Sequence, residues 1–381
     1  MKKTPVVPAS AASTAPLPVK VRLAMIDVGK GLGILLIVIG HNAIFSASYS
    51  EAGDFLKTFR LPFFFFISGT TFAIGMRSVK EIAWLRADAW LKPCAVVVIV
   101  IGLLQVLLGL GTMDTIFLGL LYGTGFTLTW TPTWFLPHLW LLYVSTAIFL
   151  TYGRPLTSTW PRRIVLLLFM SVAGYLVMQG FDSGMENPVC LRIVEFGPAL
   201  FDCGLPFSAD ILLLTGVFFL LGHFLSSNVK AFHLNWLVLG LAFSAMLALH
   251  YYFGFTIDFN QRRYDSLFVS TLQALCGIYV MLSVCSLLNR SAVVSRVLSY
   301  LGRGSLFILI FHAWIMLKLD TLLLRWLNNG FLVAGISITT AIIVPLIFWE
   351  LAKRNKVVSL LMLPRKRVAC PSSAVLAKTA N

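Results

Sequence analysis

Apolar residues in this chain run in blocks long enough to cross a bilayer, since roughly 20 residues at ~1.5 Å each cover a ~30 Å hydrocarbon core. The blocks fall at 24–45, 59–76, 94–110, 134–152, 164–180, 207–225, 235–254, 266–288, 304–324 and 331–351, which predicts ten transmembrane helices. The fold class is therefore all-α, a polytopic helical membrane bundle. Segment 112–130 (TMDTIFLGLLYGTGFTLTW) is apolar enough to cross but is interrupted by Gly and Thr. If it crossed, Arg154, Arg162 and Arg163 would fall on the external side. The bias of Lys and Arg toward the cytoplasmic side places it instead in the interface or as a re-entrant piece. With the N-terminus in the cytoplasm, most of the Lys and Arg then lie inside and most of the acids outside. Residues 1–20 are rich in Pro, Ala, Ser and Thr and read as a disordered cytoplasmic tail. A single membrane domain over 21–352 follows, and residues 353–381 read as a loose, basic cytoplasmic tail.

Composition agrees with that pattern: 58% of the residues are apolar, 12% are charged and the mean hydropathy is +0.87. The formal charge of +15 does not imply nucleic acid, because the cations sit in short runs between apolar blocks. The six cysteines, at 94, 190, 203, 276, 285 and 370, have no CxxC or CxxH spacing and so no structural zinc pattern. Cys190 and Cys203 share a polar loop, as a disulfide or as two free thiols. That loop, 181–206, is expected to be external and carries Asp182, Glu186, Glu195 and Asp202; loops of such length serve either as functional lids or as plain solvated connections. No inverted internal repeat of the kind that marks many transporters is visible.

The first block, RLAMIDVGKGLGILLIVIGHNAIF from Arg22 to Phe45, carries Asp27, Lys30 and His41, three groups that a plain anchor avoids. Ionisable residues inside a span usually face protein or water and have a function there. Lys30 and His41 are eleven residues apart, about three turns, so they share one helix face with ~16 Å between them along the axis. Arg60 opens the second block and His138 lies about a turn below the start of 134–152, so His41, Arg60 and His138 are expected in one layer near the external face. Lys30 and the arginine-rich loops then form a cytoplasmic layer. Each residue also has a plain structural alternative. Arg60 suits an interfacial anchor, while Trp134 and His138, in WFLPHLWLLY, suit an aromatic belt. His312, in SLFILIFHAWIM, lies deeper, as a packed core histidine or as a ligand. His223, His233 and His250 are scattered, and the phenylalanine run 63–66 reads as packing.

The Lys30-(ten residues)-His41 spacing resembles the basic-(ten residues)-His motif of the membrane-bound acyltransferase family 3. Further similar blocks are IDVGKGLGILLIVIGH at 26–41, LPFFFFISG at 61–69, WFLPHLWLLY at 134–143 and SLFILIFHAW at 305–314. In detail the chain looks like the branch of fucose-4-O-acetylase-like and exopolysaccharide acetyltransferases. Many relatives carry Arg where this chain has Lys30, which keeps the charge and loses the bidentate fork.

The resemblance implies transfer of an acetyl group from cytoplasmic acetyl-CoA to a sugar hydroxyl of a cell-envelope or exported glycan or its lipid-linked precursor. It implies no bound cofactor, with acetyl-CoA as donor substrate, membrane lipid and other polysaccharide-assembly proteins as partners, and a bacterial inner membrane with both termini cytoplasmic. His41 would act as general base or as an acetyl carrier, Arg60 as oxyanion stabiliser and Lys30 as a phosphate contact. Asp27 would pair with Lys30. Glu195 and Asp202 are candidates to orient His41 or to touch the acceptor. The alternatives are a transporter or flippase for a lipid-linked sugar, and the same fold moving another acyl group such as succinyl.

Overall fold

The computed structural model describes residues 24–75, 77–181 and 204–365. Among the described residues, nine helices are long and apolar enough to cross a membrane. The chain is thus a polytopic helical membrane protein. Helix α1 is Ala24–His41, and two short helices, α2 (Ala43–Ser48) and α3 (Ser50–Lys57), lead to α4 (Arg60–Thr70). Then α5 (Val79–Arg86) and α6 (Lys92–Leu107) run on through a π-helical turn at Ala87–Leu91. Pro93, which lacks an amide hydrogen, enters just after that turn, so the local ladder loses a donor and widens.

Segment 112–130 holds no helix long enough to cross. Helix α7 (Met113–Tyr122) has ten residues, about 15 Å, and ends at Gly123 with φ +63°. A long pair follows, α8 (Phe135–Tyr152) and α9 (Trp160–Gln179), then α10 (Leu212–Phe224), α11 (Trp236–Phe253) and α12 (Leu267–Leu288). The last long elements are α13 (Ala292–Leu323), α14 (Gly330–Arg354) and the short α15 (Lys356–Met362).

Two parallel pairs form the centre. In α1 and α13, a Cβ added at Gly31 would overlap the Leu298 carbonyl, and one at Gly302 would lie 2.7 Å from the Asp27 carbonyl. In α4 and α10, the backbone of Gly69 abuts Phe219 and that of Gly222 abuts Phe66. Small residues at such crossings let helix backbones approach closely where water supplies no driving force. Helix α4 runs back along α1, with Arg60 against Gly40 and Ile67 against Gly29. The bundle therefore has a His41 end and a Lys30 end.

Two expectations change. The block 59–76 is helical only over Arg60–Thr70, because Thr70 and Thr71 donate their hydroxyls back to the Ile67 and Ser68 carbonyls and the chain then leaves the helix. Nearly all of α4 is buried, so other helices rather than lipid surround this short element. Of the expected loose tail, residues 354–365 are held against the bundle, and residues 366–381 lie outside the described residues. Asn355 caps α15 through Val357 and Val358, Met362 is buried, Lys92 Nζ donates to Leu363 O at 2.6 Å and the Arg365 amide donates to Asp88 at 2.7 Å.

At the His41 end the hairpin β1 (Ile257–Asp258) and β2 (Arg263–Tyr264) is fastened by a fully buried ion pair. Arg262 Nε donates to Asp210 Oδ2 at 2.9 Å and its Nη1 to Asn260 O at 2.7 Å, with the Phe126 ring 5.3 Å from the guanidinium.

Candidate active site

The site begins where α1 stops. His41 is its last residue, and Asn42 breaks the helix and caps α2 by accepting from the Phe45 amide at 2.8 Å. Asn42 is fully buried and its Nδ2 donates to Asp320 at 3.2 Å. His41 is thereby held at a fixed corner between α1 and α13. Its Nδ1 donates to the Ile37 carbonyl at 2.7 Å, which fixes the tautomer and leaves the Nε2 lone pair free. His41 itself is exposed.

His312 arrives beside it because α13 runs parallel to α1. The two ring centroids are 5.3 Å apart at 89°. His312 Nδ1 faces the Ile308 and Leu309 carbonyls at 2.9 Å, so its Nε2 also carries a lone pair. That atom is buried and has no hydrogen-bond partner. Arg60, at the first position of α4, is 6% exposed; its Nε and Nη1 are buried without partners, and the guanidinium rests on the bare backbone of Gly40. The carboxylate of Asp258, in the hairpin, lies within electrostatic reach of it. Gln273 on α12 is likewise fully buried with both amide atoms unpartnered. Buried polar atoms are paired in the great majority of native structures, and an unpaired buried guanidinium is costly. The unpartnered atoms of Arg60 and His312, gathered beside His41, mark a place able to receive polar groups.

Of the residues expected in one layer with His41 and Arg60, His138 has partners of its own. His138 faces the Phe207 carbonyl at 3.2 Å through Nδ1 and Thr215 Oγ1 at 2.9 Å through Nε2, and is fully buried. Both its ring nitrogens are engaged, and the imidazole beside His41 is that of His312. Trp134 stacks on Phe135 and His138, with centroids 6.0 and 6.1 Å away, in the same packed wall. Lys30 and Asp27 lie at the opposite end of α1, facing Gly302 of α13, and both take part in polar interactions. A cavity of about 350 Å³ opens at that end beside Tyr300, Glu350 and Arg354. Glu195, with Asp182, Glu186, Asp202, Cys190 and Cys203, lies outside the described residues.

Sequence reasoning missed Asn42, Asp320 and Gln273. Asn42 directly follows the motif histidine, and Asp320 is the only acid between residues 304 and 324; each carried a signal of position rather than of spacing. Trp130 was also passed over. Its Nε1 donates to Ile310 O at 2.5 Å, which ties the non-crossing segment to α13 just below His312.

A helical membrane bundle with free imidazole nitrogens and an unpaired guanidinium at one end of a helix, and a lysine at the other, defines a membrane-embedded transferase or transporter. The family model for the acyltransferase domain of family 3 matches residues 23–350. The chain belongs to that family and is a membrane acyltransferase. No curated protein and no solved structure matches it.

Proposed function

We propose that the protein moves an acetyl group from acetyl-CoA, presented at the Lys30 end, to a sugar hydroxyl of a cell-envelope or exported glycan at the His41 end. The observation that carries this reading is the cluster of unpartnered His41 Nε2, His312 Nε2 and Arg60 Nε and Nη1. It lies ~16 Å along α1 from the lysine. The phosphates of the donor suit a mouth lined by Lys30 and neighbouring cations, in which a lysine contributes a point charge. Its pantetheine arm passes between helices and brings the thioester to the cluster.

There the sugar oxygen attacks the thioester carbonyl while its proton passes to His41 Nε2. Negative charge develops on the carbonyl oxygen and is met by the Arg60 guanidinium, which is preorganised because its position is set by Gly40. Collapse breaks the carbon–sulfur bond, and the CoA thiolate leaves and takes up a proton. His312 supplies a second lone pair in the same space, and Asn42 with Asp320 holds the corner on which His41 sits. In this reading the Lys30 end is cytoplasmic, the membrane is a bacterial inner membrane, and the chain works with other polysaccharide-assembly proteins.

The test supplies radiolabelled acetyl-CoA to inverted membrane vesicles and measures base-labile label in the glycan fraction, with succinyl-CoA as competitor. Label that appears with wild type and vanishes with His41→Ala supports the reading. Label that never enters glycan, or that succinyl-CoA fully displaces at equal concentration, overturns the acetyl–glycan assignment.

A further inference from the structure

Helices α8 and α9 are consecutive and antiparallel, yet they flank α10 rather than pack on each other. Between them lies a cavity of about 660 Å³, floored by Gly216 and Leu220 of α10 and walled by Leu142 and Thr146 on one side and Val165 and Phe169 on the other. Gly216 and Met170 meet in its floor, where a Cβ on the glycine would lie 3.0 Å from Met170 Cε. Cavities of this size take small organic ligands, and this one is apolar almost throughout. From Pro161 to Met170 it follows α9 for about 14 Å, half the ~30 Å thickness of a hydrocarbon core and so the depth of one leaflet.

Its shallow end is different. Arg162 lines it; Arg163 follows it in the first turn of α9 and Arg154 lies in the short connection before that helix, at the Lys30 end of the bundle, where Arg163 stacks on Phe224 of α10 at 4.9 Å. The partners of these arginines are neutral. Arg162 Nη1 donates to Pro155 O at 3.0 Å and Ser158 Oγ at 2.8 Å, and Arg163 Nε to Thr157 O at 2.8 Å. No acid occurs between residues 152 and 163, and among the described residues no carboxylate pairs with any of the three arginines. Trp160, half exposed beside them, is the amphipathic ring typical of a membrane interface.

We infer that this groove is a binding site for one phospholipid with an anionic head group, drawn from the leaflet at the Lys30 end. One hydrocarbon chain lies over Gly216 between α8 and α9, and the phosphate sits against Arg162 and Arg154. The site is separate from the His41 cluster and does not depend on the acyl group or acceptor transferred there.

The test uses the full-length protein in nanodiscs containing equal dioleoyl phosphatidylglycerol and dioleoyl phosphatidylcholine, with retained lipid counted by native mass spectrometry. Wild type should retain phosphatidylglycerol over phosphatidylcholine by about five-fold, the factor that one basic residue at an anionic surface supplies. In the double variant Arg154→Gln with Arg162→Gln, both at exposed positions, the preference should fall close to one. Ser145→Phe, which fills the groove from α8, should lower retention of both lipids. Equal retention of the two lipids by wild type, an unchanged preference in the double variant, or wild-type retention in Ser145→Phe overturns the inference.

Discussion

Gly40→Ala offers the cleanest perturbation of the site, because it moves one group without removing any. A Cβ at position 40 would overlap Arg60 Nη1 and sit 3.2 Å from Cζ and 3.9 Å from Cδ. Ordinary carbon contacts prefer ~3.5–4.0 Å, so the guanidinium has to withdraw by about 1 Å or more while its stem stays in place. The atom that must yield is the far end of a flexible side chain, so the bundle should fold normally. Catalytic geometry is less forgiving: a displacement of ~1 Å costs on the order of 100-fold in rate. The expected result is a kcat roughly 100-fold below wild type, with an unchanged KM for acetyl-CoA, because Lys30 lies ~16 Å away on the same helix. The assay is the initial rate of CoA thiol release in proteoliposomes given acceptor glycan, with thermal unfolding measured on the same preparation. Gly33→Ala is the control, since its Cβ would meet the Phe64 ring edge at 3.3 Å and the Phe63 ring at 3.9 Å and would not touch Arg60. Activity of Gly40→Ala within two-fold of wild type would refute the placement of Arg60 at the reacting carbonyl.

Two further outcomes are expected. Lys30→Ala should raise the KM for acetyl-CoA about ten-fold or more, the loss of one hydrogen bond to a charged group, with kcat retained; Lys30→Arg should keep donor affinity, and isothermal titration with CoA distinguishes the two variants. Arg262→Leu should destabilise the protein by ~3–5 kcal/mol by leaving Asp210 buried and unpaired, whereas Asp210→Leu combined with Arg262→Leu should cost less; denaturant titration in mixed micelles reads both, and an Arg262→Leu protein as stable as wild type would show that the hairpin is not fastened there.

The parts legible in the sequence were those that depend on hydropathy and on helical period. Ten apolar blocks identified the class, and the spacing of Lys30 and His41 placed them at opposite ends of one helix face. The non-crossing character of 112–130 followed from the distribution of arginines, and the short α7 agrees with it. What escaped depends on pairing between helices distant in sequence. The depth of His312 in its block was legible but its neighbour was not; only the parallel course of α1 and α13 brings His312 to His41, while Thr215 and Phe207 occupy His138. The shortness of α4 rests on threonine hydroxyls that bond back to the chain, and a length rule for lipid-facing helices does not apply to an element that other helices enclose. Gly40 was invisible for the same reason, because its role exists only once Arg60 is laid across it.

The most direct test of the account is the O-acetyl content of purified surface glycan, by proton NMR before and after mild base, from a deletion strain complemented with wild type or with His41→Ala at matched membrane abundance. The account predicts acetyl signals that disappear in the deletion, return with wild type and stay absent with His41→Ala. Acetyl signals restored by His41→Ala would contradict the central role of His41, and unchanged acetylation in the deletion, with a reduced amount of polymer, would contradict the transfer reaction itself.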